Sequence, residues 1–507
     1  MATQIHFTDV TLRDGQQSLA ATRMTTPMAL RVLELTRNAG FSTMELWGGA
    51  ILDSCLRFTQ EDPWERLDSF REVLGGKSSI QALVRGQNLF GYQPYADDLV
   101  LAFIREAIQS GIGVVRIFDA MNDFRNLQPA LLASKAYGGK AEAALVYTVS
   151  PVHTTQYFVD YALQLQEEGA DRIVIKDMAG ILHPLDAIDL IRGLKEKLTV
   201  PLALHSHSTT GVSLLNGVIG MMAGVDSVDT AITPFAGGSS LPPVEILMVF
   251  AEELGIEHHL EKKVLLQAQA VLFEIAEELK EYNPYHGRYY RPIRFEDVDR
   301  KQVQAILKRL TDGGREKVEQ ALALSRTMLA DLGYPEYDDR IFESQIPGGM
   351  LTNLYDQLKQ IGQPAETMND VMKEIPAVRA DVGYVPLVTP TSQIVGAQAA
   401  YNVVLGRRYE MVSEEFKMIL RGEFGRTPAE PNPEILEKVL GADEPRVKYR
   451  AASYLKPVLE DPIQLPFIQS KRDLLLHLMF PHTAEKFLKA SRDWTPEPAY
   501  EDEVICF

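Results

Sequence analysis

Two histidines and a lysine carry the strongest chemical signal in the chain. His205-Ser206-His207 follows directly on the apolar run Leu202-Ala203-Leu204. At a spacing of two on a strand, both imidazoles face the same side. Two neutral imidazoles together make half of a divalent-metal site; the competing reading is a pair of solvated loop histidines. Asp14, in Thr11-Leu12-Arg13-Asp14-Gly15-Gln16-Gln17-Ser18, is the carboxylate suited to join them. Its plainer role is to pair with Arg13. Lys176 ends the run Ile173-Val174-Ile175-Lys176-Asp177. A protonated amine cannot bind a metal. The lysine can pair with Asp177 or Asp14, form a Schiff base, or be carbamylated into an anionic oxygen ligand. Arg85, in Leu83-Val84-Arg85-Gly86, can grip a carboxylate through two parallel hydrogen bonds or bridge to Asp119.

These residues share one kind of place: the end of a short β-branched run that precedes an amphipathic helix. The runs are Ile5–Leu12, Thr43–Trp47, Ile80–Val84, Val114–Phe118, Ala143–Thr148, Arg172–Ile175, Leu202–Leu204 and Ser227–Ile232. Helical patterns lie between them at Pro27–Asn38, Leu99–Gln109, Thr155–Glu168, Leu185–Lys197 and Val212–Met222, with Gly40, Gly111, Gly169 and Gly224 at helix ends. Strand and helix alternating eight times over about 250 residues predicts a (β/α)8 TIM barrel, an α/β fold with its active site at the strand C-termini. Those ends carry Asp14, Glu45, Arg85, Asp119, Thr148, Lys176, Asp177, His205, His207 and Thr230. The rival fold, a doubly wound open sheet, calls for a glycine-rich loop after the first strand, and Thr11–Ser18 has one glycine. Gly76-Lys77-Ser78 reads as a helix-to-strand turn, because a strand and not a helix follows it.

The chain has 507 residues, 46% hydrophobic, room for two or three domains. A net charge of −18 argues against a nucleic-acid partner and against docking on anionic lipid. The apolar stretch Gly217–Val225 is too short to span a membrane. Met1–His6 has no secretory pattern, so the expected location is cytoplasmic. Two cysteines, Cys55 and Cys506, exclude a disulfide framework and a cysteine zinc site. The Pro-, Gly- and Tyr-rich crossing Glu281–Pro292 sets the expected division: a barrel over 1–290, a helical domain over 291–490, and an acidic tail over 491–507.

With these residues in hand, the sequence resembles the carboxyltransferase component of biotin-dependent enzymes. The resemblance runs through Thr11–Ser18, Glu45–Ala50, Glu61–Arg66, Leu83–Asn88, Val115–Asp123, Tyr147–Thr154, Ile175–Gly180 and His205–Gly211. It continues in Gln345–Met350 and Leu387–Gly396, so it spans nearly the whole chain. It implies a divalent metal (zinc, cobalt or manganese) held by Asp14, His205, His207 and an N6-carboxylysine at Lys176. It also implies ketoacid binding by Gln17, Arg85 and Tyr92, proton shuttling by Thr389, and a biotin contact at Ser392. The second half is then a helical funnel over the barrel mouth. The implied reaction moves a carboxyl group between carboxybiotin and pyruvate or oxaloacetate.

A biotin carrier needs a lysine between methionines, and Val371-Met372-Lys373-Glu374 lacks the second one. Biotin is therefore expected on a separate carrier protein, alongside a second carboxylase, carboxyltransferase or decarboxylase-pump subunit and within a homodimer. Two segments depart from the family pattern: Gly15-Gln16, where many members have Ala-His, and Thr233–Ser240 after the eighth strand. The rivals are a metal-dependent acyl-CoA enzyme of the isopropylmalate synthase and hydroxymethylglutaryl-CoA lyase type, and a non-catalytic scaffold. The first needs neither Lys176 nor the Thr389 segment.

Overall fold

The apolar runs form eight parallel strands that close into a barrel: β1 (His6–Asp9), β2 (Thr43–Gly48), β3 (Ser79–Val84), β4 (Ile112–Ile117), β5 (Lys140–Val146), β6 (Arg172–Asp177), β7 (Leu202–Ser206) and β8 (Ser227–Thr230). The computed structural model describes residues 4–346, 354, 358–359, 362–364, 366–442, 445–460 and 465–491. Closure is direct, with β8 beside β1 from His6 against Ser227 to Asp9 against Thr230. That pairing rules out the doubly wound sheet.

The expected helices are present at Thr26–Thr36, Asp97–Gln109, Thr155–Glu167, Pro184–Lys197 and Ser213–Ala223. Gly40, Gly111, Gly169 and Gly224 all have φ between +84° and +115°. Gly40 also admits no side chain, since a Cβ would lie 1.9 Å from the His259 carbonyl oxygen. The first run departs from expectation. β1 stops at Asp9, and Thr11–Gly15 winds into a wide helical turn. The Asp9 carboxylate accepts from the Thr11 N–H at 3.0 Å and from the Thr11 hydroxyl, which starts that turn. The turn carries Arg13 and Asp14 across the barrel mouth.

Two kinds of layer fill the barrel. Near the mouth, Phe118, Ala144, Val146, Val174 and Ala203 form an apolar cluster. Elsewhere inside it, Arg116 is fully buried among Glu45, Glu142 and Asp229. Its NH2 donates to Asp229 Oδ1 at 3.0 Å, and its NH1 lies 3.4 Å from Glu45 Oε2.

The expected division at residue 290 is not where the hydrophobic core divides. Ile293, Val303, Ile306, Ala321 and Leu329 join the barrel's core, and so do Leu475, Leu476, Phe487 and Leu488 from the far end. The physical reason is that helix Arg315–Asp331 packs its apolar stripe on barrel helices Pro184–Lys197 and Ser213–Ala223. A separate core is built from Ile346 to Phe424, chiefly by helices Thr367–Asp381, Thr391–Leu405 and Glu414–Arg421. The acidic tail, apart from Ser491, and Pro347–Met350 of the Gln345–Met350 segment lie outside the described residues. Among the described residues, no helix is long and apolar enough to cross a membrane.

Replacing Arg116 by Met leaves Asp229 buried without its guanidinium. Breaking a buried ion network in this way costs about 3–5 kcal/mol. Urea unfolding of Arg116→Met is expected to show a loss of that size; a loss of less than about 1 kcal/mol would contradict this role for the network.

Candidate active site

The turn after β1 and the end of β7 place Asp14, His205 and His207 together. One possible ligand atom from each lies within 4.8 Å of the others, and all three residues are buried. His205 Nε2 and His207 Nε2 stand 3.5 and 3.7 Å from Asp14 Oδ2. Both rings are oriented from behind. His205 Nδ1 lies 2.7 Å from Asp229 Oδ2, and His207 Nδ1 lies 2.7 Å from the Ser239 carbonyl. With protons on Nδ1, both Nε2 lone pairs point towards Asp14. His207 Nε2 is buried without a hydrogen-bond partner, as befits a ligand atom.

Burial, reinforced by the Lys176 ammonium, pulls His205 down to about 3, so its ring is neutral. Burial opposes ionisation of Asp14, but the Arg13 guanidinium and His207 outweigh it and hold the carboxyl well below the usual range. Lys176 is fully buried, and burial pulls its ammonium down to about 8. Its Nζ donates to His205 Nε2 at 2.9 Å. It does not pair with Asp177, whose carboxylate instead accepts from Ile181 N, Leu182 N and Ser206 Oγ.

Above this cluster opens a cavity of about 440 Å³. Asp14, Gln17, Arg85, Tyr92, Lys176, His207 and Thr389 all line it. Arg13 has all three of its guanidinium nitrogens engaged: with Glu45 at 2.5 Å, Gln17 at 3.1 Å and Asp14 at 2.5 Å. Arg85 does not bridge to Asp119. Its NH1 donates to the carbonyls of Phe90 and Gly91 at 2.7 and 2.8 Å, while no hydrogen bond within the described residues uses its Nε or NH2. A Cβ on Gly49 would sit 3.1 Å from both NH1 and NH2 of Arg85 and 2.8 Å from Phe90 O, so this glycine lets the Arg85 loop close in. The Arg85 guanidinium lies 5.2 Å from the ring centre of Tyr92, which is 45% exposed.

Thr389 reaches the cavity from the separate helical core. It is half-buried, and its hydroxyl makes no hydrogen bond within the described residues. It does not cap the following helix; Thr391 does the local work, donating to the Val388 carbonyl at 2.7 Å. Ser392 is not brought to the cavity. The first turn of helix Thr391–Leu405 rotates it into the core, fully buried with an unpartnered hydroxyl, and Gln393 lines the cavity instead.

Sequence reasoning missed Asp229, Ser239 and Gln393. The signal for Asp229 was its place on β8, beside the histidine strand. The departing segments also gain a role. Gln16 is buried and ties Leu12 O to Met24 N, and Ser239 orients His207.

The family model described as "Conserved carboxylase domain" matches residues 341–505, and one described as "HMGL-like" matches 141–272. A pyruvate carboxylase subunit of Methanocaldococcus jannaschii is 37% identical over 98% of this chain and 80% of its own length. The 2-oxoglutarate carboxylase large subunit of Hydrogenobacter thermophilus is 34% identical over 99% of this chain and 71% of its own. The carboxyl transferase domain of Rhizobium etli pyruvate carboxylase, solved with oxamate and biotin, superposes with a TM-score of 0.82 at 26% identity, covering 98% of this chain and 79% of that one. Likeness of that extent, on a closed barrel with this cluster at its mouth, means that the chain belongs to the family of biotin-dependent carboxyltransferases.

Proposed function

We propose that the chain moves a carboxyl group between carboxybiotin, delivered on a separate carrier protein, and pyruvate, giving oxaloacetate, and catalyses the reverse. The observation that carries this reading is the single cavity on which Arg85, Gln17, Lys176, His207 and Thr389 converge from two hydrophobic cores. An acyl-CoA enzyme of the lyase type needs neither the buried Lys176 nor the Thr389 segment.

A divalent ion such as zinc, cobalt or manganese fits the donor set of Asp14, His205 and His207, and the unpartnered His207 Nε2 supports that fit. Lys176 would complete it as N6-carboxylysine. The ammonium would first lose a proton; carbon dioxide would then add to the neutral amine, forming an N–C bond with loss of a second proton, so that a cation beside His205 would become an anionic oxygen ligand. When bound, the ion supplies Lewis acidity beside the keto oxygen.

The protein's own side chains do the rest. Arg85 holds the ketoacid carboxylate through its unused Nε and NH2. Gln17 donates its amide to the oxygen on which charge develops, and the Tyr92 ring walls that side. Thr389 takes a proton from the pyruvate methyl group while passing its own to the ureido nitrogen that loses the carboxyl group. One C–H bond breaks and one N–H bond forms, and the enolate carbon then bonds to carbon dioxide. A hydroxyl is too weak an acid or base to act unless both partners lie within hydrogen-bond reach. Gln393, rather than Ser392, presents its side chain to the biotin end of the cavity.

Arg85 also speaks to the substrate. Among cavity-lining described residues it is the guanidinium with whole nitrogens that no hydrogen bond uses, since each of the three Arg13 nitrogens is engaged. One such group matches a ketoacid with a single carboxylate before carboxylation. The test is isotope exchange between oxaloacetate and labelled pyruvate, with metal and a biotinylated carrier domain present. Exchange should require biotin and should exceed transfer to labelled 2-oxoglutarate by at least about tenfold, the value of a charge pair gained or lost. Equal transfer to both acceptors would overturn the pyruvate assignment, and exchange without biotin would overturn the reaction. Thr389→Ala is expected to lower kcat about 10²–10⁴-fold, the range for a lost acid–base group, with metal per chain unchanged. Lys176→Ala is expected to lose bound metal and exchange activity together; retention of both would remove Lys176 from the ligand set.

A further inference from the structure

We propose that Arg379 is the positioning residue that sets Thr389 against the barrel mouth; this rests on the reading of Thr389 as the proton relay. Thr389 belongs to a strap, residues 382–390, between helices Thr367–Asp381 and Thr391–Leu405. Its hydroxyl has no protein partner in the described structure, so its place is set by its backbone alone.

That backbone is pinned at three points. Gly383 opens the strap at φ +83°, and a Cβ there would lie 2.1 Å from the Ala429 carbonyl oxygen. The Gly383 carbonyl in turn accepts from Ala429 N at 3.0 Å. At the other end, Val388, the residue before Thr389, inserts into the apolar cluster of Phe118, Ala144, Val146, Val174 and Ala203 inside the barrel. Arg379 holds the middle. Its Nε donates to the Val385 carbonyl at 2.8 Å.

The other end of the same guanidinium grips the barrel. NH2 donates to Thr148 Oγ at 2.7 Å, and NH1 donates to the Val149 carbonyl at 2.8 Å and to Gln345 Oε1 at 2.9 Å. Thr148 and Val149 extend β5, and Tyr147 just before them donates its N–H to the Lys176 carbonyl at 2.9 Å. A continuous path of hydrogen bonds and chain therefore runs from the backbone of Lys176, through Tyr147, Thr148 and Arg379, to the strap that carries Thr389. It joins a residue of the metal cluster to a residue of the lid.

The nature of the pairing argues for geometry rather than charge. Arg379 is only 5% exposed, yet no carboxylate among the described residues pairs with it; every acceptor is a carbonyl or hydroxyl oxygen. Burial lowers its guanidinium to about 10, still charged at neutral pH. A buried cation without a counter-ion is a poor source of stability. A planar fork with donors on three sides is, however, a rigid way to register three segments at once. A lysine, with one compact ammonium, cannot serve all three.

The test compares Arg379→Lys, Thr148→Val, Thr389→Ala and the double variant Arg379→Lys/Thr389→Ala, each as the full chain with metal and biotinylated carrier. Arg379→Lys is expected to lower kcat for oxaloacetate decarboxylation about 10- to 100-fold, the effect of misplacing a reacting group by about 1 Å. Its KM for oxaloacetate should stay within about twofold and its metal content unchanged, a split that a merely structural staple would not give. Thr148→Val should shift kcat in the same direction by less. The double variant should be no slower than Thr389→Ala alone, because a residue acting through Thr389 has nothing left to position. A further, additive loss in the double variant would overturn the proposal while leaving the relay intact. Full activity in Thr389→Ala would instead remove the relay, and this proposal with it. Should Arg379→Lys fail to fold, Thr148→Val paired with Thr389→Ala gives the same non-additivity test.

Discussion

A guanidinium held where no water reaches underlies the geometry of this molecule. Arg116 lies inside the barrel with Glu45, Glu142 and Asp229 arranged around it. Two of those carboxylates reach on towards the site. Asp229 orients His205, Glu45 binds Arg13, and Arg13 in turn holds Asp14 and Gln17. A metal-type cluster and a cavity-lining amide thus depend on one buried cation that lies outside the cavity wall. In so low a dielectric the network cannot be loosened piecemeal, because each charge would lose its compensation. The same burial that makes the network costly keeps His205 neutral and Lys176 within reach of its amine form.

Much of this was legible in the chain because the barrel obeys a local rule. A strand presents alternate residues to one side, so His205 and His207 announced themselves by spacing, and strand ends marked Asp14, Arg85 and Lys176. What remained hidden depends on phase and on distance. Whether Ser392 or Gln393 meets the cavity turns on a single step of about 100° around a helix, and the residue pattern does not reveal the phase in which the helix starts after Pro390. Asp229 and Ser239 act through contacts with residues 24 and 32 positions away. That the hydrophobic core does not divide at 290 has a similar cause. A change in composition marks where the chain crosses over, but helices 300–331 return to the barrel because their apolar stripes fit its outer surface.

Acidity at the scale of the molecule is reversed at the scale of the site. With a net charge of −18, the protein as a whole repels small anions. The cavity wall nevertheless gathers Arg13, Arg85 and Lys176. Low-dielectric walls and a Debye length of roughly 8 Å let that local excess govern what binds.

Val388 also bears on how firmly the strap is seated. A valine buried among five barrel residues stabilises its seat by about 1.5–3 kcal/mol, and the Arg379 hydrogen bonds add to that. Lifting the strap would mean drawing a stopper from the barrel and exposing a charged fork. The cavity wall also includes Thr22, Tyr92, Tyr282 and Pro284. Tyr282 and Pro284 come from the Tyr- and Pro-rich crossing between barrel and helices, so a connecting segment doubles as part of the cavity wall.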